Sequence, residues 1–130
     1  MEFDIALLLK AARFSAEKHS SQRRKGQDAS PYINHPLEVA DLLANTGAVM
    51  DIRVLVAAIL HDTVEDTRTT FEEVLALFGE DVRAIVEELT DDKKLPKPER
   101  KRRQIEHATH LSTAAKPIKI ADKICNIRDV

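Results

Sequence analysis

A short segment in the middle of the chain carries one imidazole and three carboxylates. Residues 61–66 are His-Asp-Thr-Val-Glu-Asp, and they follow directly on an apolar run over residues 54–60. Removing a carboxylate from water is costly unless a partner or a cation compensates its charge. Crowded carboxylates also shift one another's pKa values unless a positive group lies among them. The segment is therefore a candidate for half of a metal site.

The geometry of this half-site depends on the backbone that carries it. If the helix of the apolar run continues through the segment, His61 and Glu65 lie one turn apart, as do Asp62 and Asp66. Two adjacent helix faces would then each present a pair of titratable groups. Further ligands would have to come from elsewhere in the chain.

Two other polar residues lie in apolar surroundings and could supply those ligands. His35 precedes a proline at the predicted start of a helix, and Asp122 lies among isoleucines near a predicted buried face. With His61 and Asp62 they offer two nitrogens and two anionic oxygens, a mixed set that suits manganese, iron or magnesium. The single cysteine excludes a structural zinc site built on thiolates.

The chemistry that such a site supports is hydrolysis of a phosphate ester or anhydride. A divalent cation lowers the pKa of a bound water and neutralises the charge that develops on phosphoryl oxygens. Glu65 and Asp66 follow the ligand pair and could orient that water and move its proton. Positioning and charge can carry most of the rate of phosphoryl transfer.

Purely structural roles remain open from the residues alone. His35 could cap a helix or face solvent, and Asp122 could form an ion pair with Lys119 or Arg128. Three acidic groups beside His61 argue against such roles, because a structural role needs no such concentration of charge. The remaining histidines lack acidic companions at ligand spacing, so we predict surface or loop positions for His19, His107 and His110.

The composition excludes several classes of protein. The chain of 130 residues is 43% hydrophobic and 32% charged, which is typical of a folded globular domain. Its net charge of −2 provides no basic field that would attract nucleic acid. No apolar run approaches the ~20 residues of a membrane span, and the N-terminus does not resemble a signal peptide. One cysteine fits a reducing compartment. We expect a cytoplasmic protein without nucleic-acid or membrane partners.

Apolar residues recur at helical spacing along most of the chain. Asp51 is a predicted N-cap, residues 70–73 form a capping box, and Gly79 is a predicted helix end. No segment has the alternating pattern and hairpin turns of paired strands. The sequence predicts an all-α domain with six or seven helices.

These residues resemble a known family. The pattern His35, His61-Asp62, Asp122 is similar to the signature of the HD-domain metal phosphohydrolases. Five segments resemble the hydrolase domain of RelA/SpoT homologues, above all the small hydrolase-only type related to the metazoan SpoT homologue. They are residues 24–25, 31–36, 61–66, 89–93 and 119–129.

The resemblance implies an HD-domain helical bundle that hydrolyses the 3′-diphosphate of guanosine tetra- and pentaphosphate, (p)ppGpp, to GDP or GTP and pyrophosphate. It also implies a divalent cation, usually manganese. Glu65 and Asp66 match the acidic pair of active hydrolase domains. The residues that match the metal ligands of the family are His35, His61, Asp62 and Asp122.

The resemblance also implies a set of substrate-binding residues. Arg24 and Lys25 match residues that line the nucleotide pocket, and Asn126 matches a residue near the ribose and phosphate. Lys97 matches a residue near the substrate phosphates. Family members continue with further helices beyond this segment, so the resemblance predicts one HD hydrolase domain over residues 1–130, shortened at its C-terminus and without a synthetase region.

Two alternative functions remain open. The pocket cations would also suit a phosphatase for another phosphorylated nucleotide, such as NADPH. A non-catalytic module that binds the alarmone is the second alternative. The intact Glu65 and Asp66 argue against the second.

Overall fold

The computed structural model describes residues 4–24, 30–91, 94–108 and 110–128. Within them, the regular structure is helical, apart from one isolated antiparallel bridge between Arg23 and Pro31. The all-α prediction is therefore confirmed. A π-helical turn, Leu42–Thr46, follows the second helix. The helices are α1 (Ile5–Lys18), α2 (Asn34–Asp41), α3 (Ile52–Leu60), α4 (Thr63–Asp66), α5 (Phe71–Phe78), α6 (Glu80–Leu89), α7 (Lys97–Ala108) and α8 (Ala115–Arg128).

Helix α3 lies at the centre of the fold. Every side chain from Val54 to Leu60 is buried, and α3 contacts α1, α2, α6 and α8. The Asp51 carboxylate accepts a hydrogen bond from the backbone N–H of Arg53 at 3.0 Å, so the predicted N-cap is present. A helix that is apolar on all sides belongs in the core. Its C-terminal end consequently delivers the next residues into the interior.

Helix α3 ends at Leu60, directly before the His-Asp segment. His61 and Asp62 form a turn, and the separate helix α4 begins at Thr63. The Thr63 hydroxyl donates to the carbonyl oxygen of Leu60 at 2.7 Å, and Nδ1 of His61 lies 2.6 Å from the carbonyl oxygen of Ala58. These side chains satisfy carbonyls at the end of α3 and so terminate it. The segment is therefore not one continuous helix, which was the condition for the one-turn spacing of the two pairs.

The junction between α5 and α6 matches the sequence prediction. The Thr70 hydroxyl accepts a hydrogen bond from the backbone N–H of Glu73 at 3.1 Å. Gly79 then adopts φ 94°, a backbone conformation that side chains disfavour. The Thr70 half of the predicted capping box and the predicted helix end are confirmed. The reciprocal bond from the Glu73 side chain to the Thr70 N–H is not among the described hydrogen bonds, and Glu73 pairs with Lys18 instead.

Helix α8 packs against α2, α3 and α6. Ile118, Ala121 and Cys125 are buried, whereas Ile120 and Ile127 are mostly exposed. Asp122 follows a buried residue on this helix and is only partly exposed. None of the helices in the described part of the chain is long and apolar enough to cross a membrane.

Candidate metal centre

Side chains from three parts of the fold converge at the C-terminal end of α3. His35 comes from α2, His61 and Asp62 come from the turn after α3, and Asp122 comes from α8. One nitrogen or carboxylate oxygen of each of these four residues lies within 4.8 Å of the others. Both histidines are buried, and both aspartates are partly buried. The structure thus brings together the four residues that the sequence predicted as metal ligands.

The hydrogen bond of His61 to the backbone decides which ring nitrogen carries its proton. The carbonyl oxygen of Ala58 can only accept, so Nδ1 donates to it across 2.6 Å. The other nitrogen, Nε2, lies 3.2 Å from Asp62 Oδ2 and 3.2 Å from Asp122 Oδ1. In the neutral ring, its lone pair would face two carboxylates. This arrangement needs a positive charge at Nε2, either a proton or a metal ion.

Asp122 connects the two histidines. Its Oδ1 atom lies 2.6 Å from Nε2 of His35 and 3.2 Å from Nε2 of His61. Nδ1 of His35 is buried and has no hydrogen-bond partner among the described residues. A single carboxylate oxygen therefore faces two imidazole nitrogens, which is a geometry that a shared cation satisfies.

The pKa values follow from this crowding. Burial by itself would lower the pKa of His61, but the carboxylates of Asp62 and Asp122 outweigh burial and raise that pKa to about 9. Burial would raise the pKa of Asp122, but hydrogen bonds from His35 and His61 hold it well below its ordinary value. Without a metal ion, a proton on His61 compensates the carboxylates. The donor set and its charge therefore fit a divalent cation in that place.

Tyr32 joins the candidate ligand Asp62 to the acidic pair. Its hydroxyl donates to Asp62 Oδ2 at 2.8 Å, and Asp66 Oδ2 lies 3.3 Å from the same hydroxyl. Burial, with the charges of both aspartates, raises the pKa of Tyr32 above its ordinary value. The phenol consequently remains a hydrogen-bond donor. Sequence analysis assigned no such role to Tyr32.

His19 supports this arrangement. It lies in the turn after α1, as the loop prediction allowed, but it is buried and not on the surface. Its side chain is buried, and its ring lies 4.7 Å from the ring of Tyr32, centroid to centroid. Nδ1 of His19 lies 2.8 Å from Oε1 of Gln22, whose amide nitrogen donates to the carbonyl oxygen of Asp66 at 2.8 Å. His107 and His110 are exposed, as predicted.

Glu65 lines a pocket with three of the candidate ligands. The pocket is bounded by His61, Asp62, Glu65, Leu89, Asp91, Ile118, Lys119 and Asp122. Burial and nearby carboxylates raise the pKa of Glu65, while a hydrogen bond from the backbone N–H of Asp91, 2.7 Å long, opposes that rise. The sequence did not assign a site role to Asp91, and it assigned Lys119 only a possible ion pair with Asp122.

Two of the predicted substrate-binding residues lie at the edge of the centre. Nη2 of Arg24 donates to Oδ1 of Asn126 at 3.0 Å, and its guanidinium lies 5.8 Å from the centroid of the Tyr32 ring. The amide nitrogen of Asn126 is 3.4 Å from Asp122 Oδ2. The structure therefore brings Arg24 and Asn126 together beside a candidate ligand.

The other two predicted substrate-binding residues are not brought to the centre by any described contact. Lys25 lies outside the described residues. Lys97 is exposed at the first position of α7. The alternative ion pair of Asp122 with Lys119 or Arg128 is also not found, since the described partners of Asp122 are His35, His61 and Asn126.

Comparison with known proteins gives the family. A sequence model described as HD domain matches residues 11–130. The chain belongs to the HD-domain family. Its relatives include guanosine-3′,5′-bis(diphosphate) 3′-pyrophosphohydrolase MESH1 from Xenopus tropicalis, 62% identical over 130 residues, which are 100% of this chain and 73% of the relative. The human protein of the same name is 56% identical with the same coverage.

A solved structure supports the assignment of this chain to the HD-domain family. It is described as "A metazoan ortholog of SpoT hydrolyzes ppGpp and plays a role in starvation responses". The match has a TM-score of 0.95 and 47% identity, and covers 99% of this chain and 72% of that chain. The resemblance to the metazoan SpoT homologue is confirmed.

Metal binding should release a proton from His61. Its pKa of about 9 means that Nε2 is mostly protonated at pH 7.5, and a cation must displace that proton. We expect release of about one proton per cation, and an apparent affinity that rises about tenfold per pH unit up to pH 9. Calorimetric titration with manganese in two buffers of different ionisation enthalpy measures the release. Identical heats in both buffers would contradict it.

Removal of the Tyr32 hydroxyl should weaken the centre without disturbing the fold. Tyr32→Phe keeps the ring that packs on His19 but removes the donor to Asp62. Loss of such a supporting hydrogen bond typically costs about 10- to 100-fold in metal affinity or activity. Titration with manganese measures the metal affinity, the rate of phosphate hydrolysis measures the activity, and thermal unfolding checks that the fold is intact. Wild-type affinity and turnover in Tyr32→Phe would show that the hydroxyl is dispensable.

Proposed function

We propose that the protein is a metal-dependent hydrolase that removes the 3′-diphosphate of (p)ppGpp, giving GDP or GTP and pyrophosphate. One observation carries the proposal: Glu65 and three candidate metal ligands line the same pocket. The chain that builds this pocket is 62% identical, over its whole length, to a relative named for the same reaction. Chemistry and family therefore agree on hydrolysis of a phosphate group.

The metal ligands in this proposal are the four converging residues, and the cation is manganese. When bound, the cation supplies activation of a water molecule and neutralises charge on the phosphoryl group. Two imidazoles and two carboxylates suit manganese because it accepts both nitrogen and oxygen donors. His61 would hold the cation through Nε2, because its Nδ1 is engaged by Ala58. The proposed ligands are His35, His61, Asp62 and Asp122.

The acidic pair has two different tasks in this mechanism. Glu65 is partly buried and its pKa is raised, so it is suited to accept a proton from the attacking water near neutral pH. Asp66 shares the Tyr32 hydroxyl with Asp62, so it is suited to orient that water beside the ligand. Little covalent help is needed beyond these roles, because phosphoryl transfer depends mainly on positioning and charge.

The nucleotide would be held at the edge of the centre. The planar guanidinium of Arg24 can stack on the base, as it now packs on the Tyr32 ring. Asn126 lies between Arg24 and Asp122, where its amide can reach the ribose or a phosphate. Lys25 and Lys97 would bind the ribose and the outer phosphates, and their match to the family supports this assignment.

The proposal treats residues 1–130 as one HD hydrolase domain acting in the cytoplasm. The family match over residues 11–130 supports one domain, as do the contacts of α3 with both α1 and α8. Cys125 is a buried free thiol, which a reducing compartment preserves.

The experiment that tests the function is hydrolysis of ppGpp by metal-stripped protein, with manganese added back. Anion-exchange chromatography resolves the products, and we expect GDP and pyrophosphate only when manganese is present. Hydrolysis without metal would contradict the proposed centre. Turnover of NADPH but not ppGpp in a parallel assay would replace the proposed substrate. Binding of ppGpp without turnover in the presence of metal would identify a binding module.

Point variants should separate metal binding from proton transfer. Glu65→Gln and Asp66→Asn keep the size of each side chain, and we expect full manganese content with turnover lowered about 100-fold or more. Asp62→Ala should instead lose the metal, as elemental analysis would show. Glu72→Gln, an exposed change on α5, is the matched control and should behave as wild type. Wild-type turnover in both acidic-pair variants would remove their assigned roles.

A further inference from the structure

Helix α7 is attached to the rest of the molecule in an unusual way. None of its described side chains, at positions 97–107, is buried. Apolar packing therefore contributes little to its position. Gln104 provides a specific attachment instead: its amide nitrogen donates to Oδ2 of Asp91 at 2.6 Å. A neutral amide donor binds this carboxylate without adding charge to the region.

Asp91 is the residue through which α7 reaches the pocket of the candidate metal centre. Its side chain accepts the hydrogen bond from Gln104, while its backbone N–H donates to Oε1 of Glu65 at 2.7 Å. Glu65 and Asp91 both line the pocket that contains His61 and Asp62. Two short hydrogen bonds therefore connect a surface helix to the carboxylate beside the candidate ligands.

We propose that Asp91 and Gln104 are positioning residues for Glu65, so that α7 helps to set the rate of the hydrolysis. Gln104 holds the Asp91 carboxylate on the side of α7, and this fixes the backbone N–H that orients Glu65. The inference rests on the proposed function, in which Glu65 accepts a proton. It adds two residues and one helix to the site that the four ligands and the acidic pair define.

The electrostatics of Asp91 explain why the Gln104 contact matters. The backbone N–H of Asp91 stabilises the ionised form of Glu65, but its carboxylate repels that form. Asp91 follows the end of α6, so its side chain is not confined by a helix on its own segment. The Gln104 amide selects one orientation of the carboxylate and disperses its charge. Without Gln104, the orientation of the Glu65 carboxylate would change. The balance between stabilisation by the Asp91 N–H and repulsion by the Asp91 carboxylate would change with it.

A kinetic comparison on α7 provides the first test. Gln104→Ala should lower kcat about tenfold, the effect typical of a lost supporting contact at a metal site. Manganese content should stay within about twofold of wild type, and the thermal unfolding temperature should stay within a few degrees of it, since the ligands and core are untouched. The matched control is Ile105→Ala, because Ile105 is 73% exposed on the same helix. Wild-type kcat in Gln104→Ala would overturn the proposal.

A double-mutant cycle distinguishes positioning from a general structural role. In the Glu65→Gln background, Gln104→Ala should cause no further loss, because its effect passes through Glu65. The same tenfold loss in both backgrounds would overturn the proposal. Asp91→Asn combined with Gln104→Glu exchanges donor and acceptor, and should recover kcat to within about threefold of wild type. Failure of the exchange to recover any activity would also count against the link.

The outcomes separate this inference from the function on which it rests. Turnover of ppGpp by the wild-type protein with manganese is measured first. An inactive wild-type protein would overturn the proposed function and, with it, this role of Asp91 and Gln104. An active wild-type protein with an equally active Gln104→Ala variant would overturn the link alone.

Discussion

A buried imidazole that faces two carboxylates is the interaction around which the rest of the structure is arranged. His61 cannot turn away from Asp62 and Asp122, because its Nδ1 is engaged by the carbonyl oxygen of Ala58. An imidazole nitrogen that faces two carboxylates is tolerated in the interior only with a positive charge beside it. Three elements, α2, the turn after α3 and α8, must therefore meet at one point. The core built on α3 secures that meeting, since α3 contacts both α2 and α8.

The C-terminal end of α3 places His61 and Asp62 directly after a buried helix of the core. The last turns of α3 are wholly buried, and two side chains bind its terminal carbonyls, so the chain leaves the helix inside the protein. Glu65 and Asp66 both lie on α4, where neighbouring side chains point in different directions. Glu65 accepts a hydrogen bond from the Asp91 N–H, and Asp66 lies beside Tyr32. The two neighbouring carboxylates consequently have different surroundings.

Much of the fold and of the candidate metal centre could be predicted from the sequence, for physical reasons that differ from residue to residue. Helical periodicity, the Thr70 cap and Gly79 are local signals, and they predicted the helical class correctly, although the described residues contain eight α-helices where six or seven were predicted. His61 and Asp62 stood out because charged groups rarely end an apolar run. The end of α3 after Leu60 depends on hydrogen bonds of the His61 and Thr63 side chains, which helical periodicity does not predict.

The supporting residues were missed because they act across long separations in the chain. Gln22 binds a carbonyl 44 positions away, and Gln104 binds Asp91 at a separation of 13. His19 is buried by its contact with Tyr32, which no local pattern anticipates. Such contacts follow from the packing of helices, so a single sequence does not reveal them.

The asymmetry of the acidic pair is the last consequence of this arrangement. Glu65 is partly buried, lines the pocket and accepts a backbone N–H, whereas Asp66 is tied to Asp62 by one phenol. Burial raises the pKa of Glu65, and groups with a raised carboxyl pKa exchange protons more effectively near neutrality. Asp66 shares its hydrogen-bond donor, the Tyr32 hydroxyl, with the candidate ligand Asp62, so in the proposed mechanism it would orient water and not accept the proton. In the proposed mechanism, the two adjacent carboxylates therefore have different roles in one hydrolytic step.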